Sequence, residues 1–241
     1  MMKRIAIIIL MMAPFYGHSQ IKGFLDKIGN SLESVTGEST DRLDISGALK
    51  EALNKGVDKE VSKLTLENGF YKNEAVKILM PAELQKVDKT LRSVGLSSLS
   101  DEGIKLLNRA AEEAVKEATP IFITAIKQMS IADAKTILMG KNNAATTYLE
   151  SKTTKNLYAK FNPVVQKNLR KVGADVAWTS MISKYNSLPL TTDVNPDITD
   201  YVTKKALEGV FKMIAVEELS IRTDIGARTS PLLKKVFAMQ D

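Results

Sequence analysis

Cysteine is absent from this sequence, and histidine occurs once, as His18. His18 falls in a stretch that reads as a cleavable export signal. Lys3 and Arg4 precede an unbroken apolar run, Ile5 to Ala13, and Pro14 follows. Gly17 and Ser19 are the small residues expected before a cut between Ser19 and Gln20. The run is too short to span a bilayer, which takes roughly 20 residues. With no cysteine after it, a lipid anchor at this point is chemically impossible. The mature chain is therefore expected to hold neither cysteine nor histidine. That excludes Ser-His-Asp and Cys-His nucleophilic catalysis. It also excludes zinc sites of the His/Cys kind, haem with such a ligand, iron–sulfur clusters and disulfides. No glycine-rich phosphate loop or dinucleotide fingerprint occurs, and no cofactor is expected. No later segment is long and apolar enough for a transmembrane helix, and no solenoid repeat is visible.

What remains is an ample, mildly basic chain. Removal of 19 residues from 241 leaves 222, enough for one sizeable core. Loss of Lys3 and Arg4 takes the formal charge from +6 to +4. Helix punctuation recurs along it. Thr119-Pro120, Asn162-Pro163, Asn195-Pro196 and Ser230-Pro231 each set a polar residue before a proline, the pattern of a capped first turn. Ser130 and Asp133 have capping-box spacing, and Gly95, Gly140 and Gly173 follow apolar-periodic stretches as closing residues. Strand-like alternation is confined to Ala75–Met80. The fold class is therefore all-α.

Within it, residues 1–19 form the signal. Residues 20–43 form an amphipathic helix (Ile21, Phe24, Leu25, Ile28, Leu32) on a polar tether, and 44–241 the helical body. Leu49, Leu53, Val57, Val61 and Leu64 mark the body's first helix. The longest, about 196–222, is apolar on most faces (Leu207, Val210, Phe211, Ile214, Val216), which makes it the expected centre of a single multi-helix bundle.

The phrasing of the body is also familiar. Ala48-Leu49-Lys50-Glu51-Ala52-Leu53, Asn108-Arg109-Ala110-Ala111-Glu112, Pro120-Ile121-Phe122, Asp200-Tyr201-Val202-Thr203 and Leu232-Leu233-Lys234-Lys235-Val236-Phe237 follow one another in order. From about residue 45 to 238 the chain resembles the exported family of domain of unknown function 4197. The resemblance implies a helical periplasmic domain of Gram-negative bacteria with no established activity. It brings no catalytic or binding residue. The Ser-Gln signal ending likewise resembles signals common in Bacteroidetes.

Three constellations could carry chemistry. Arg109, Glu112, Tyr185, Tyr201, Glu218, Arg222 and Arg228 could ring a pocket in which guanidinium groups grip a carboxylate or phosphate. Glu112 and Glu218 could instead act as an acid–base pair on an envelope polymer, which requires them to face one cavity roughly 5–10 Å apart. Acids and bases three or four residues apart also fit plain structural pairing. Second, Lys152, Lys155, Lys160, Lys167, Arg170 and Lys171 occur with no acid between Ser151 and Ala174. They suit an anionic surface, although Pro163 is expected to break the stripe. Basic runs without a recognised fold are weak evidence for nucleic acid, which is not expected as partner. Third, Asp193, Asn195, Asp197 and Asp200 offer oxygen ligands but lack calcium-loop spacing, and helix capping explains them as well. No metal is expected. The leading reading is a non-catalytic binding or interaction module for an anionic ligand or envelope partner. The alternatives are a carboxylate-dependent envelope enzyme and a peripheral membrane-surface protein.

Overall fold

Asp44 opens the body by capping: its carboxylate accepts from the Gly47 N–H at 2.8 Å. The computed structural model describes residues 44–93, 95, 97–176, 179, 183, 195 and 197–239. The expected signal, the 20–43 helix and Tyr185 lie outside them. Eight α-helices lie wholly within the described residues, which contain no strand. They are α1 Ile45–Thr65, α2 Gln85–Ser93, α3 Ser97–Val115, α4 Ala118–Gln128, α5 Ile131–Leu138, α6 Ala144–Lys171, α7 Ile198–Thr223 and α8 Pro231–Phe237.

The apolar spacing decides which faces meet. α1 buries Leu49, Leu53, Val57, Val61 and Leu64, as its sequence period requires. It packs against α4, α5, α7 and α8. α7 packs against α6, α3 and α1 and buries Val202, Ala206, Leu207, Val210, Phe211 and Ile214. It is the central helix, two residues displaced from its expected start. Phe211 meets Phe122 of α4 edge to face, with ring centroids 5.9 Å apart. Val216 departs from the expectation of an all-round apolar helix, being 53% exposed.

The caps divide into those that hold and those that packing overrides. Ser130 and Asp133 form the full capping box of α5, and Ser230 accepts from the Leu233 N–H with Pro231 in the first turn of α8. Gly95 and Gly173 take positive φ, +81° and +67°, where any side chain would be strained. Gly140 does not. There a Cβ would come within 2.6 Å of the Ala144 Cβ, so close approach is what requires glycine.

Thr119-Pro120 is not a cap: α4 already starts at Ala118, and Pro120 lies in its first turn, where backbone N–H groups lack helical partners anyway. α7 is capped by Asp197 rather than Asn195, through bonds from the Thr199 and Asp200 N–H groups. Asn162-Pro163 opens nothing. α6 runs unbroken through Pro163 for 28 residues. Its buried row Leu149, Leu157, Phe161, Val165 and Leu169 continues on both sides of the proline. The N–H that proline removes would have bonded the carbonyl of exposed Ala159, which water can satisfy.

Between α1 and α2 the chain forms a strap, residues 66–81. Phe70 is fully buried against Gly209 of α7, where an added Cβ would lie 2.6 Å from its ring. The expected strand-like stretch Ala75–Met80 finds no ladder partner. Side chains pair its backbone instead.

Candidate functional site

Of the seven residues expected to ring a pocket, the six that lie among the described residues divide into separate structural groups. Glu218, on α7, is 7% exposed. Its carboxylate accepts from the Ala145 N–H at 2.9 Å, the Thr146 N–H at 2.8 Å and the Thr146 hydroxyl at 2.8 Å. These are first-turn donors of α6, whose own N-cap, Asn143, makes no side-chain capping bond. Glu218 therefore caps α6 from a neighbouring helix and places negative charge at its positive end.

Arg222, one turn on, donates to Glu218 through Nε and Nη2 at 3.0 and 2.8 Å. It also donates to the Leu138 and Ile137 carbonyls that end α5, at 3.1 and 2.8 Å. One buried ion pair thus closes the C-terminus of α5 and the N-terminus of α6 onto α7. Arg228 folds back on the end of α7 and donates to the Ile221 and Arg222 carbonyls at 3.1 and 2.9 Å. Both guanidinium carbons lie 5.9 Å from the Phe237 ring centroid of α8. The cavity beside this group, lined by Leu53, Val57, Ile214, Glu218, Arg222 and Phe237 among others, measures about 20 Å³. That is room for about one water.

Arg109 and Glu112 act elsewhere. Glu112, 3% exposed, accepts from the Phe70 and Tyr71 N–H groups at 3.1 and 3.3 Å and from Asn68 at 3.4 Å. Arg109 Nη1 braces it at 2.6 Å, while Nη2 reaches Glu67 and Asn68 at 2.7 and 3.1 Å. Asn108, on the same face of α3, meets Ile78 both ways: Oδ1 accepts its N–H at 2.8 Å and Nδ2 donates to its carbonyl at 2.8 Å. A side-chain amide here replaces a neighbouring strand. Tyr201 Oη donates to the Leu79 carbonyl at 3.1 Å, and Lys212 Nζ to that of Ala75 at 2.8 Å. These residues fasten the strap. The partner sets of Glu112 and Glu218 share no residue, and Glu112 does not line the cavity beside Glu218.

Sequence reasoning assigned no bonding partner to Thr146, Lys212 or Tyr158. Tyr158 of α6 donates to Asp200 at 2.7 Å, and Lys204 and Asn195 bond the other Asp200 oxygen at 2.8 and 2.9 Å. The bond to Asp200, followed by burial, pushes the Tyr158 phenol up to about 12. Burial pulls Asp200 upward, but the bonds from Lys204, Tyr158 and Asn195 together outweigh it and hold the carboxyl below its ordinary value. Asn195, Asp197 and Asp200 are thus committed to capping and cross-linking. Asp193 lies outside the described residues.

The basic stretch belongs to one helix, contrary to the expected break. Lys152, Lys155, Lys160, Lys167, Arg170 and Lys171 are all exposed on α6. Arg170 pairs with Asp175 at 3.3 Å, and Lys152 lies 5.6 Å from the Tyr148 ring centroid. Lys155, Lys160, Lys167 and Lys171 have no carboxylate partner among the described residues. At about 1.5 Å per residue the six charges extend over about 28 Å. Among the described residues, no helix is long and apolar enough to cross a membrane.

A family model described as a protein of unknown function, DUF4197, matches residues 39–238. No curated protein and no solved structure matches the chain.

Proposed function

The chain belongs to the DUF4197 family, and on that premise we propose that it is a non-catalytic binding module that meets an anionic surface through the exposed face of α6. The observation that carries this reading is the continuity of α6 through Pro163. It turns a run of basic residues into a rigid row with no acid from Ser151 to Lys171. Cations on one helix that lack carboxylate partners repel one another unless counter-charge is supplied. A surface rich in lipid phosphate supplies it at matching length, each lysine near such a surface contributing about 1 kcal/mol. The two carboxylates suited to acid–base work are both committed to backbone N–H groups, which favours binding over catalysis.

The test is flotation of the purified chain with vesicles. Binding to anionic phospholipid at low salt, release at high salt and indifference to neutral lipid is the expected pattern. A chain that stays unbound on anionic vesicles at low salt contradicts the proposal. So does one that binds duplex nucleic acid more tightly than lipid.

A further inference from the structure

The strap, α2 and α3 border an open cleft of about 280 Å³ that none of the residues expected to form a site lines. It is far roomier than the cavity beside Glu218 and lies just below the usual size of small-molecule sites, about 300 Å³ upward. Its charges sort into those already spent and those left over. Arg92 of α2 donates from Nε to Asp88 at 2.8 Å and from Nη2 to Asp101 at 2.7 Å. Ser100 also donates to Asp88. Two carboxylates thus share one guanidinium across the α2–α3 seam, which leaves one negative charge there, within the field of Lys89.

Two lysines remain. Lys77, on the strap, is 25% exposed, and its ammonium lies 4.9 Å from the Tyr71 ring centroid. Its nearest carboxylate, Glu74, is 3.7 Å away and 86% exposed, a weak surface pairing. Lys89 has no ion-pair partner among the described residues. Between them the lining is apolar. Ile104 is buried, the Met80 methyl presses against α3 at Gly103, and Leu79 is 54% exposed at the mouth. The Tyr201 bond to the Leu79 carbonyl fixes that wall to α7.

We infer that this cleft binds a small amphipathic anion, a carboxylate on an apolar body, with Lys77 and Lys89 meeting the carboxylate and Leu79, Met80 and Ile104 the body. An exposed leucine beside a partly desolvated ammonium is unfavourable in water. Both are relieved by the same ligand, one by burial and the other by charge. The site is independent of the α6 surface and of the reading built on it.

Titration calorimetry of the full chain with octanoate, and with octanol as its neutral counterpart, tests this. Octanoate is expected to bind saturably at one site per chain, and octanol at least tenfold more weakly. Lys77→Met and Leu79→Glu should each weaken octanoate tenfold or more while leaving the helical signal and melting temperature near those of the parent. Lys160→Glu on α6 should change nothing, which separates this site from the surface proposed above. Absence of saturable octanoate binding would overturn the inference. Binding unaffected by Lys77→Met and Leu79→Glu would overturn it equally.

Discussion

At the scale of single residues, Glu112, Glu218, Arg222 and Arg228 replace backbone partners that the fold does not otherwise provide. Arg228, 2% exposed, is the largest of the fully buried side chains, and its work is to close the end of α7. Glu218 and Arg222, 7% and 4% exposed at their side chains, join two helix ends. Removing one partner of such a pair leaves the other charge buried and unmatched, which costs about 3–5 kcal/mol. Glu218→Ala should therefore lower stability by that amount in urea unfolding. The Glu218→Leu/Arg222→Met double variant should cost less than either single change. A double variant that costs the sum of the two single changes would argue against a coupled pair.

The Tyr158–Asp200 link gives a pH signature. Asp200, lowered in the fold, contributes stability that is present above its unfolded value of 3.8 and lost as pH falls through its lower folded value. Tyr158, raised to about 12, contributes stability that is present below its unfolded value of 10.0 and lost as pH climbs toward 12. Tyr158→Phe should lower the urea midpoint near neutrality, where the bond to Asp200 is intact, and flatten the alkaline limb of a plot of that midpoint against pH. An alkaline limb identical to that of the parent would remove Tyr158 as its source.

Among helices and connections, apolar period was the dependable signal and proline the misleading one. Leu49 to Leu64 and Val202 to Ile214 announce buried faces because a helix has one period and burial follows it. Polar-proline pairs were ambiguous because proline fits both a first turn and an exposed position in a helix held by its other face. Only tertiary packing distinguishes the two, and Leu157, Phe161, Val165 and Leu169 decide it for α6. Proline in a helix interior is about 3 kcal/mol less favourable than alanine. Pro163 is exposed, so its replacement removes no buried packing. Pro163→Ala should accordingly raise the melting temperature, by up to about 3 kcal/mol of added stability. A lowered melting temperature would show that the proline is needed for the path of α6.

The candidate site was less legible than the helices. Asn108 and Glu112 can be placed on one face of α3, with Arg109 beside them, from spacing alone. What they hold is a strap 30 to 44 residues away, which local pattern does not encode. The cleft left no signal but Gly103, which is small because Met80 approaches it.

For the whole molecule, the division of labour is between buried charges committed to backbone groups or to one another, as at Glu112, Glu218, Arg222 and Arg228, and an α6 face whose lysines lack carboxylate partners among the described residues. The buried carboxylate–guanidinium pair and the strap fasteners make the bundle one piece, and α6, anchored at its first turn by Glu218, presents its lysines from a fixed support. The surface proposal needs this rigidity, since a row of charges about 28 Å long keeps its spacing only on a helix that does not bend freely.

The most direct measurement compares the parent chain with a Lys155→Gln/Lys160→Gln/Lys167→Gln variant in vesicle binding across a salt series. At about 1 kcal/mol per lysine and about 1.4 kcal/mol per tenfold, low-salt affinity for anionic vesicles should fall roughly a hundredfold. The salt dependence should become shallower, while unfolding in urea stays unchanged. Undiminished binding by the triple variant, with the same dependence on salt, would contradict the claim that α6 is the docking face.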